Sequence, residues 1–322
     1  MLVTLTAAIA ALVAAVLLVA TYYYQATRRI SRDAEHAVPP RGRFVTVEGC
    51  NIHYIEQGEG RPIVMIHGLG GTLHHMRRPL MEAFGDGYRL IAFDRPGSGY
   101  STRPGGFDGR LSEQARLVAG FIDALGLERP LLVGHSLGGA VALATALDYP
   151  DKVAGLALLA PLTRHETEIA PEFRALAVRS PLLRRILSET VAVPTAMRAS
   201  PRTLDFIFGP QKPPADYAVA GGAMAGLRPP HFHATSTDFV ALRHEMPAIE
   251  QRHGEVAVPV GILFGSADRV LDHKRHGTSM EGRIAGIDIE IMEGVGHMLQ
   301  YVDTPRVVAF IRRIAERAFA EK

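Results

Sequence analysis

Cysteine is nearly missing from this chain: Cys50 is the only one in 322 residues. No intrachain disulfide can form, and neither a cysteine-ligated zinc site nor a thiol-dependent redox role is indicated. An excess of one charge is missing too, since 35 Lys and Arg stand against 33 Asp and Glu for a formal net charge of +2. The basic residues are spread out, without an aromatic-rich block, so nucleic acid is not an implied partner. Internal repeats are absent. The pairs His74-His75 and His231-x-His233 lack a recognised ligand spacing with a carboxylate, so no metal is expected. What the chain does have is apolar material, 47% of it. At this length that supports one large α/β domain or two small ones with an ample core.

The first segment differs in kind. Residues 2–24 carry no charge and are almost wholly aliphatic until Tyr22-Tyr23-Tyr24. At about 1.5 Å per residue, a helix of this length covers the roughly 30 Å hydrocarbon core of a bilayer. It reads as a single-pass membrane anchor, with the tyrosines at the interface and Arg28, Arg29 and Arg32 in the headgroup layer. A cleaved signal peptide is the rival, but there basic residues normally precede the apolar run, and here they follow it. The positive-inside rule favours the cytoplasmic side for the rest of the chain and leaves the opposite side open. Residues 25–43 are polar, contain Pro39-Pro40 and show no hydrophobic period, which predicts a tether.

From residue 44 the pattern turns strand-like. Residues 44–47 and 52–57 alternate around Glu48-Gly49-Cys50-Asn51, predicting an antiparallel hairpin at a sheet edge. Buried runs follow at 63–66, 90–93, 131–133, 153–159, 260–264 and 287–292, mostly separated by helical-period segments. Alternation of this kind predicts an α/β fold with a mainly parallel, eight-stranded sheet covered by helices on both faces. Residues 162–235 break the alternation. Helix-like pieces there are interrupted by Pro181, Pro194, Pro201, Pro210, Pro213 and Pro214, and the stretch reads as a helical cap inserted into a core of residues 44–161 and 236–322. Such a cap can roof a pocket.

The most informative short segment is Gly134-His135-Ser136-Leu137-Gly138-Gly139, where a buried run gives way to an Ala-rich helix. This is the geometry of a nucleophile elbow. Gly134 and Gly138 are needed because the turn leaves no room for side chains beside Ser136, whose own backbone must be strained. The amide of Leu137 would open the helix and favour an oxyanion beside the serine. His67-Gly68-Leu69-Gly70-Gly71 follows the run 63–66, and the amide of Leu69 would be the second donor. His67, Gly68 and Gly70 support that turn.

Asp268 follows the run 260–264, and His297 follows the run 287–292 through Gly294-Val295-Gly296. Serine, acid and histidine thus come in the order that the elbow predicts, each at the carboxyl end of its own strand. His297 would take the proton of Ser136, and Asp268 would hold the imidazole in its tautomer. Asp272 is the rival acid. His135 is expected to pack or hydrogen-bond, and Asp94 to order its own loop.

With these residues in view, the chain from about residue 44 to its end resembles the α/β-hydrolase fold superfamily. The resemblance rests on His67-Gly68-Leu69-Gly70, Asp94-Arg95-Pro96-Gly97-Ser98-Gly99, the elbow, Asp268 and Gly296-His297. It implies an esterase or lipase with catalytic Ser136, Asp268 and His297, an oxyanion hole at Leu69 and Leu137, and no cofactor. Epoxide hydrolases and haloalkane dehalogenases place an aspartate where Ser136 stands. An apolar N-terminal segment joined to such a domain is similar to membrane-anchored monoacylglycerol lipases, which implies a small or lipid-like ester as substrate. C–C bond hydrolysis, acyl transfer, or an idle scaffold that binds a partner are the alternatives.

Overall fold

The protein is described here by a computed structural model covering residues 2–320. Eight strands build it: β1 (Arg43–Val47), β2 (Cys50–Gln57), β3 (Arg61–Ile66), β4 (Tyr88–Phe93), β5 (Leu131–His135), β6 (Gly155–Leu159), β7 (Val260–Gly265) and β8 (Asp288–Met292). They form one sheet in the order β1-β2-β4-β3-β5-β6-β7-β8. The pairs β1–β2 and β2–β4 are antiparallel, and the others parallel. Every residue of β5, β6 and β7 is buried, as strands covered on both faces must be. The hairpin turn is tighter than its sequence indicated. Glu48 (φ 49°) and Gly49 (φ 79°) alone make it, and Val47 pairs with Cys50, so Cys50 and Asn51 belong to β2. Two positive φ values match the twist of the flanking strands.

The helices are α1 (Leu2–Ala37), α2 (His74–Leu80), α3 (Leu111–Ala124), α4 (Leu137–Asp148), α5 (Pro181–Glu189), α6 (Ala192–Phe208), α7 (Pro229–Gln251), α8 (His273–His276), α9 (Leu299–Val302) and α10 (Thr304–Ala320). From β3 the chain moves to β4 on one side and then to β5 on the other, which opens a crevice at the carboxyl ends of β3 and β5. The serine and the glycine-rich turn both lie there.

Helices α5, α6 and α7 fill the excursion between β6 and β7. Pro201 does not interrupt α6. The carbonyl of Met197, which the missing Pro201 N–H would have bonded, accepts the Ser200 hydroxyl at 2.9 Å. Helix α7 begins inside the expected cap range and runs on to Gln251.

The tether is also different from its sequence pattern. Helix α1 continues through it to Ala37, leaving only residues 38–42 irregular. Thr27, Ser31 and Ala34, three or four apart, bury one face of it. The Thr27 hydroxyl donates to the carbonyl of Thr190, Ser31 donates to that of Leu227 at 3.2 Å, and Glu35 pairs with Arg228 at 2.8 Å. These contacts are small and polar, so they leave no hydrophobic stripe in the sequence. Farther toward the N-terminus Leu12, Val16, Leu17 and Leu18 are exposed. Among the described residues, α1 is the one helix long and apolar enough to cross a membrane.

Candidate active site

Ser136 is the single residue joining β5 to α4. Its φ of 55° and ψ of −120° lie where a residue with a side chain pays roughly 1–3 kcal/mol. The surrounding glycines enforce this. A Cβ on Gly134 would stand 2.5 Å from the carbonyl oxygen of Gly138, and one on Gly138 would stand 2.2 Å from that of Ile66. Neither contact is possible, so these positions admit only glycine and the serine side chain is turned out of the sheet.

The turn after β3 reaches the same point. A Cβ on Gly68 would be 3.0 Å from Ser136 Cβ, so the turn lies against the serine. The Leu69 amide meets no acceptor among the described residues. Leu137 opens α4, where no carbonyl lies one turn back to receive its N–H. Leu69, Leu137 and Ser136 line the same cavity. Behind the turn, His67 Nδ1 donates to the carbonyl of Gly68 at 2.8 Å, and Nε2 accepts the Arg95 amide at 2.9 Å. Complete burial, with Arg95 nearby, holds its pKa well below the usual histidine value, so it stays neutral.

Asp268 and His297 hang from the ends of β7 and β8. His297 Nδ1 donates to Asp268 Oδ2 at 2.7 Å, while Oδ1 accepts the amides of Val270 at 2.7 Å and Leu271 at 3.0 Å. The carboxylate is fully buried, with its lone pairs directed at three donors. Nε2 is therefore the imidazole nitrogen left for chemistry. Ser136 Oγ forms no hydrogen bond with His297 or another described residue. His135 backs the histidine, donating from Nε2 to the His297 carbonyl at 3.1 Å, with ring centroids 4.8 Å apart.

The remaining sequence candidates lie apart. Asp272 caps α8 by accepting the Arg275 amide at 2.7 Å and is exposed. Asp94 accepts from His53 Nδ1 at 2.8 Å, from the Leu73 amide at 2.8 Å and from the Tyr100 amide at 3.0 Å, which orders its own loop. His231 accepts the Gly99 amide and donates to the Gly70 carbonyl, both at 3.1 Å.

The cavity over Ser136 measures about 290 Å³. Phe173 from the excursion between β6 and β7, Phe239 and Met246 from α7, and Val270 near Asp268 give it apolar walls, with Glu166 and Arg243 also lining it.

Residues 61–304 match the model of the α/β-hydrolase fold family. The chain belongs to this family. Among relatives, Haloalkane dehalogenase 2 of Mycobacterium tuberculosis is 39% identical over 120 residues, 37% of this chain and 42% of that protein. The 2-hydroxy-6-oxo-6-phenylhexa-2,4-dienoate hydrolase of Comamonas testosteroni is 40% identical over 126 residues, 37% of this chain and 43% of that protein. The chain thus spans less than half the length of these relatives. Among solved structures, a membrane phospholipase A described as a bacterial virulence factor superposes with a TM-score of 0.69 at 24% identity, covering 98% of both chains. An esterase of Exiguobacterium antarcticum gives 0.66 at 21% identity, covering 85% of this chain and all of that one.

Two features of this α/β-hydrolase carried no signal in the sequence. Gln211, from the excursion between β6 and β7, grips the histidine loop: its Oε1 accepts the Gly296 amide at 2.9 Å and its Nε2 donates to the Gly294 carbonyl at 2.7 Å. Arg95 and Asp238 form a buried ion pair at 2.7 Å behind the glycine-rich turn. Each links segments more than 80 positions apart in sequence, which no local pattern marks.

Proposed function

We propose that this α/β-hydrolase is a membrane-anchored serine hydrolase that cleaves small or lipid-like carboxylic esters through an acyl-enzyme. Ser136 attacks the carbonyl carbon while His297 Nε2 takes its proton. The amides of Leu69 and Leu137 receive the oxyanion, and Asp268 stabilises the imidazolium. His297 then protonates the leaving alcohol and activates water against the acyl-enzyme. The observation that carries this reading is the strained serine with two unpartnered amides beside it, in one cavity.

Dehalogenase similarity does not alter it, because of what a serine makes. Displacement of a halide by a serine oxygen would leave an ether that water cannot cleave, whereas a carboxylate nucleophile leaves a hydrolysable ester. The apolar cavity favours an acyl group as occupant. The exposed apolar half of α1 and the likeness to a membrane phospholipase A along nearly the whole chain support anchorage in a bilayer.

Purified Ser136→Ala should lose turnover of a short-chain nitrophenyl ester by about 10⁶-fold, and wild-type protein should be labelled at Ser136 by a fluorophosphonate. A Ser136→Ala variant with wild-type turnover would end this reading. C–C bond hydrolysis is the second reading, favoured by the 40% identity to the dienoate hydrolase. Turnover of a vinylogous dienone and none of any ester would select it.

A further inference from the structure

We propose that Arg95 is a positioning residue for the oxyanion donor at Leu69, holding the Gly68–Leu69 peptide from behind and tying its orientation to α7 through Asp238. The inference rests on the ester-hydrolase reading above and adds a residue that faces away from the substrate.

The Arg95 side chain is 1% exposed. Its Nε donates to the carbonyl of His67 and its Nη2 to that of Gly68, each at 3.1 Å. In a planar trans peptide the C=O and the N–H point in opposite directions. With the Gly68 oxygen fixed on the guanidinium, the N–H of Leu69 is directed away from Arg95, on the side where Leu69 meets the Ser136 cavity. The restraint has something to work against. Gly68 lacks a Cβ, and Gly70 follows with φ 63°, so rotation of the intervening peptide meets little steric resistance. A rotated peptide would present a carbonyl oxygen where the oxyanion forms. His67 Nδ1 and the Gly71 amide, the latter at 3.3 Å, share the load on the Gly68 oxygen, and the Arg95 amide in turn fixes the His67 ring through Nε2.

The far side of the guanidinium shows what keeps it in place. Nη1 donates to Asp238 Oδ2 at 2.7 Å and also to Gln114 Oε1. Asp238, itself 1% exposed, takes Arg103 on its other oxygen. Two guanidinium groups therefore share one carboxylate in a dry region beneath the hole, which leaves net positive charge there and favours an anion above it. A lysine cannot reproduce this, because one ammonium lacks the flat fork that reaches two carbonyls, an amide and a carboxylate at once. Asp238 sits on α7 beside Phe239, which lines the cavity, so the wall of the pocket and the oxyanion donor are held by neighbouring residues of one helix.

The test compares full-length wild type with Arg95→Lys and Asp238→Asn in the same detergent. Steady-state kinetics on a short-chain nitrophenyl ester and the affinity of a trifluoromethyl ketone, whose adduct places an alkoxide in the hole, are measured together. Arg95→Lys should lower kcat by about 10–100-fold with KM within about threefold, and ketone affinity should fall in parallel. Asp238→Asn, which keeps the guanidinium but weakens its hold, should lose about 3–10-fold in the same pattern. A purely structural role would lower thermal stability while leaving kcat per folded molecule and ketone affinity unchanged, and that result overturns the proposal. If Arg95→Lys does not fold, Asp238→Asn decides by the same criterion. A crystal structure of either variant gives a readout independent of turnover: an unrotated Gly68–Leu69 peptide with wild-type carbonyl directions counts against it. A wild type that hydrolyses no ester, with a rotated peptide in the variant, removes the ester reading and keeps the positioning role.

Discussion

Ser136 holds a backbone conformation, φ 55° and ψ −120°, that glycine adopts at lower cost, and the sheet and helix on either side leave it no other. Strain of this kind is retained for chemistry and drawn from stability. Ser136→Gly should therefore raise the unfolding free energy by about 1–2 kcal/mol over Ser136→Ala, and under the proposed mechanism both variants should be inactive. Urea denaturation monitored by circular dichroism compares them. Equal midpoints would show that the turn is relaxed. A second residue-scale expectation concerns acid. His75 is buried against the Tyr217 hydroxyl, 2.9 Å from its Nε2, and desolvation lowers its pKa to about 3. An unfolded histidine takes its proton near pH 6.5. As pH falls below about 6.5 the unfolded chain is protonated first, so stability is full above that value and declines down to about pH 3, at up to about 1.4 kcal/mol per pH unit for this one group. His74 and His231, each lowered to about 4 by burial, add to the same limb. His75→Gln, which can keep a hydrogen bond to Tyr217, should flatten the slope of unfolding free energy between pH 6 and pH 4.5 by about one proton. An unchanged slope would mean that His75 is not the group responsible. The places of Ser136, Asp268 and His297 beyond strand ends were legible because each follows a buried run. Gln211 and Asp238 were not, since their partners come from distant parts of the chain.

The elements were read most easily where they are most buried. The six hydrophobic runs of the sequence became six strands, most plainly β5, β6 and β7, because a parallel strand packed on both faces is apolar at every position, whereas β8 at the sheet edge alternates Asp288 and Glu290 with Ile289 and Ile291. Segments that pack through small or polar side chains escaped that reading. Residues 25–37 look like a tether, yet they complete α1, whose docking face is Thr27, Ser31 and Ala34 and whose hydroxyls end on the backbone carbonyls of Thr190 and Leu227. Close approach through small residues leaves no space for a larger one. Ala34→Leu, at a position with 0% exposure, should cost about 1–3 kcal/mol by overpacking and release this part of the helix. The expected outcome is faster cleavage within residues 25–42 under limited proteolysis, at unchanged ester turnover on a short soluble substrate. Wild-type resistance would show that the face tolerates bulk and that its packing does not hold the helix.

At the scale of the whole molecule, two halves of one helix present different surfaces. The C-terminal half of α1 docks on the hydrolase domain, while the N-terminal half exposes Leu12, Val16, Leu17 and Leu18, which water would not tolerate on a free surface of this size. Under the proposed anchorage a bilayer would cover those side chains, and the arginines at 28, 29 and 32 would then bias the side on which the domain lies. The scarcity of cysteine makes that side measurable. Cys50 is buried, and desolvation pushes its thiol pKa up to about 11, so it reacts poorly as a thiolate nucleophile. Glu128 is exposed on the hydrolase domain, and Glu128→Cys would supply one reactive thiol without touching the site. In intact cells a membrane-impermeant maleimide should leave this variant unlabelled and should label it after lysis, as the positive-inside rule requires for a cytoplasmic domain. Labelling before lysis would place the domain outside. In membrane fractions, alkaline carbonate should fail to extract the chain. Replacing Leu12 and Val16 by aspartate, at about 2.5–3.5 kcal/mol each near the centre of the span, should move it into the soluble fraction. Extraction of the unaltered chain by carbonate would remove the anchor, and with it the reason for expecting a lipid-like ester rather than a soluble one.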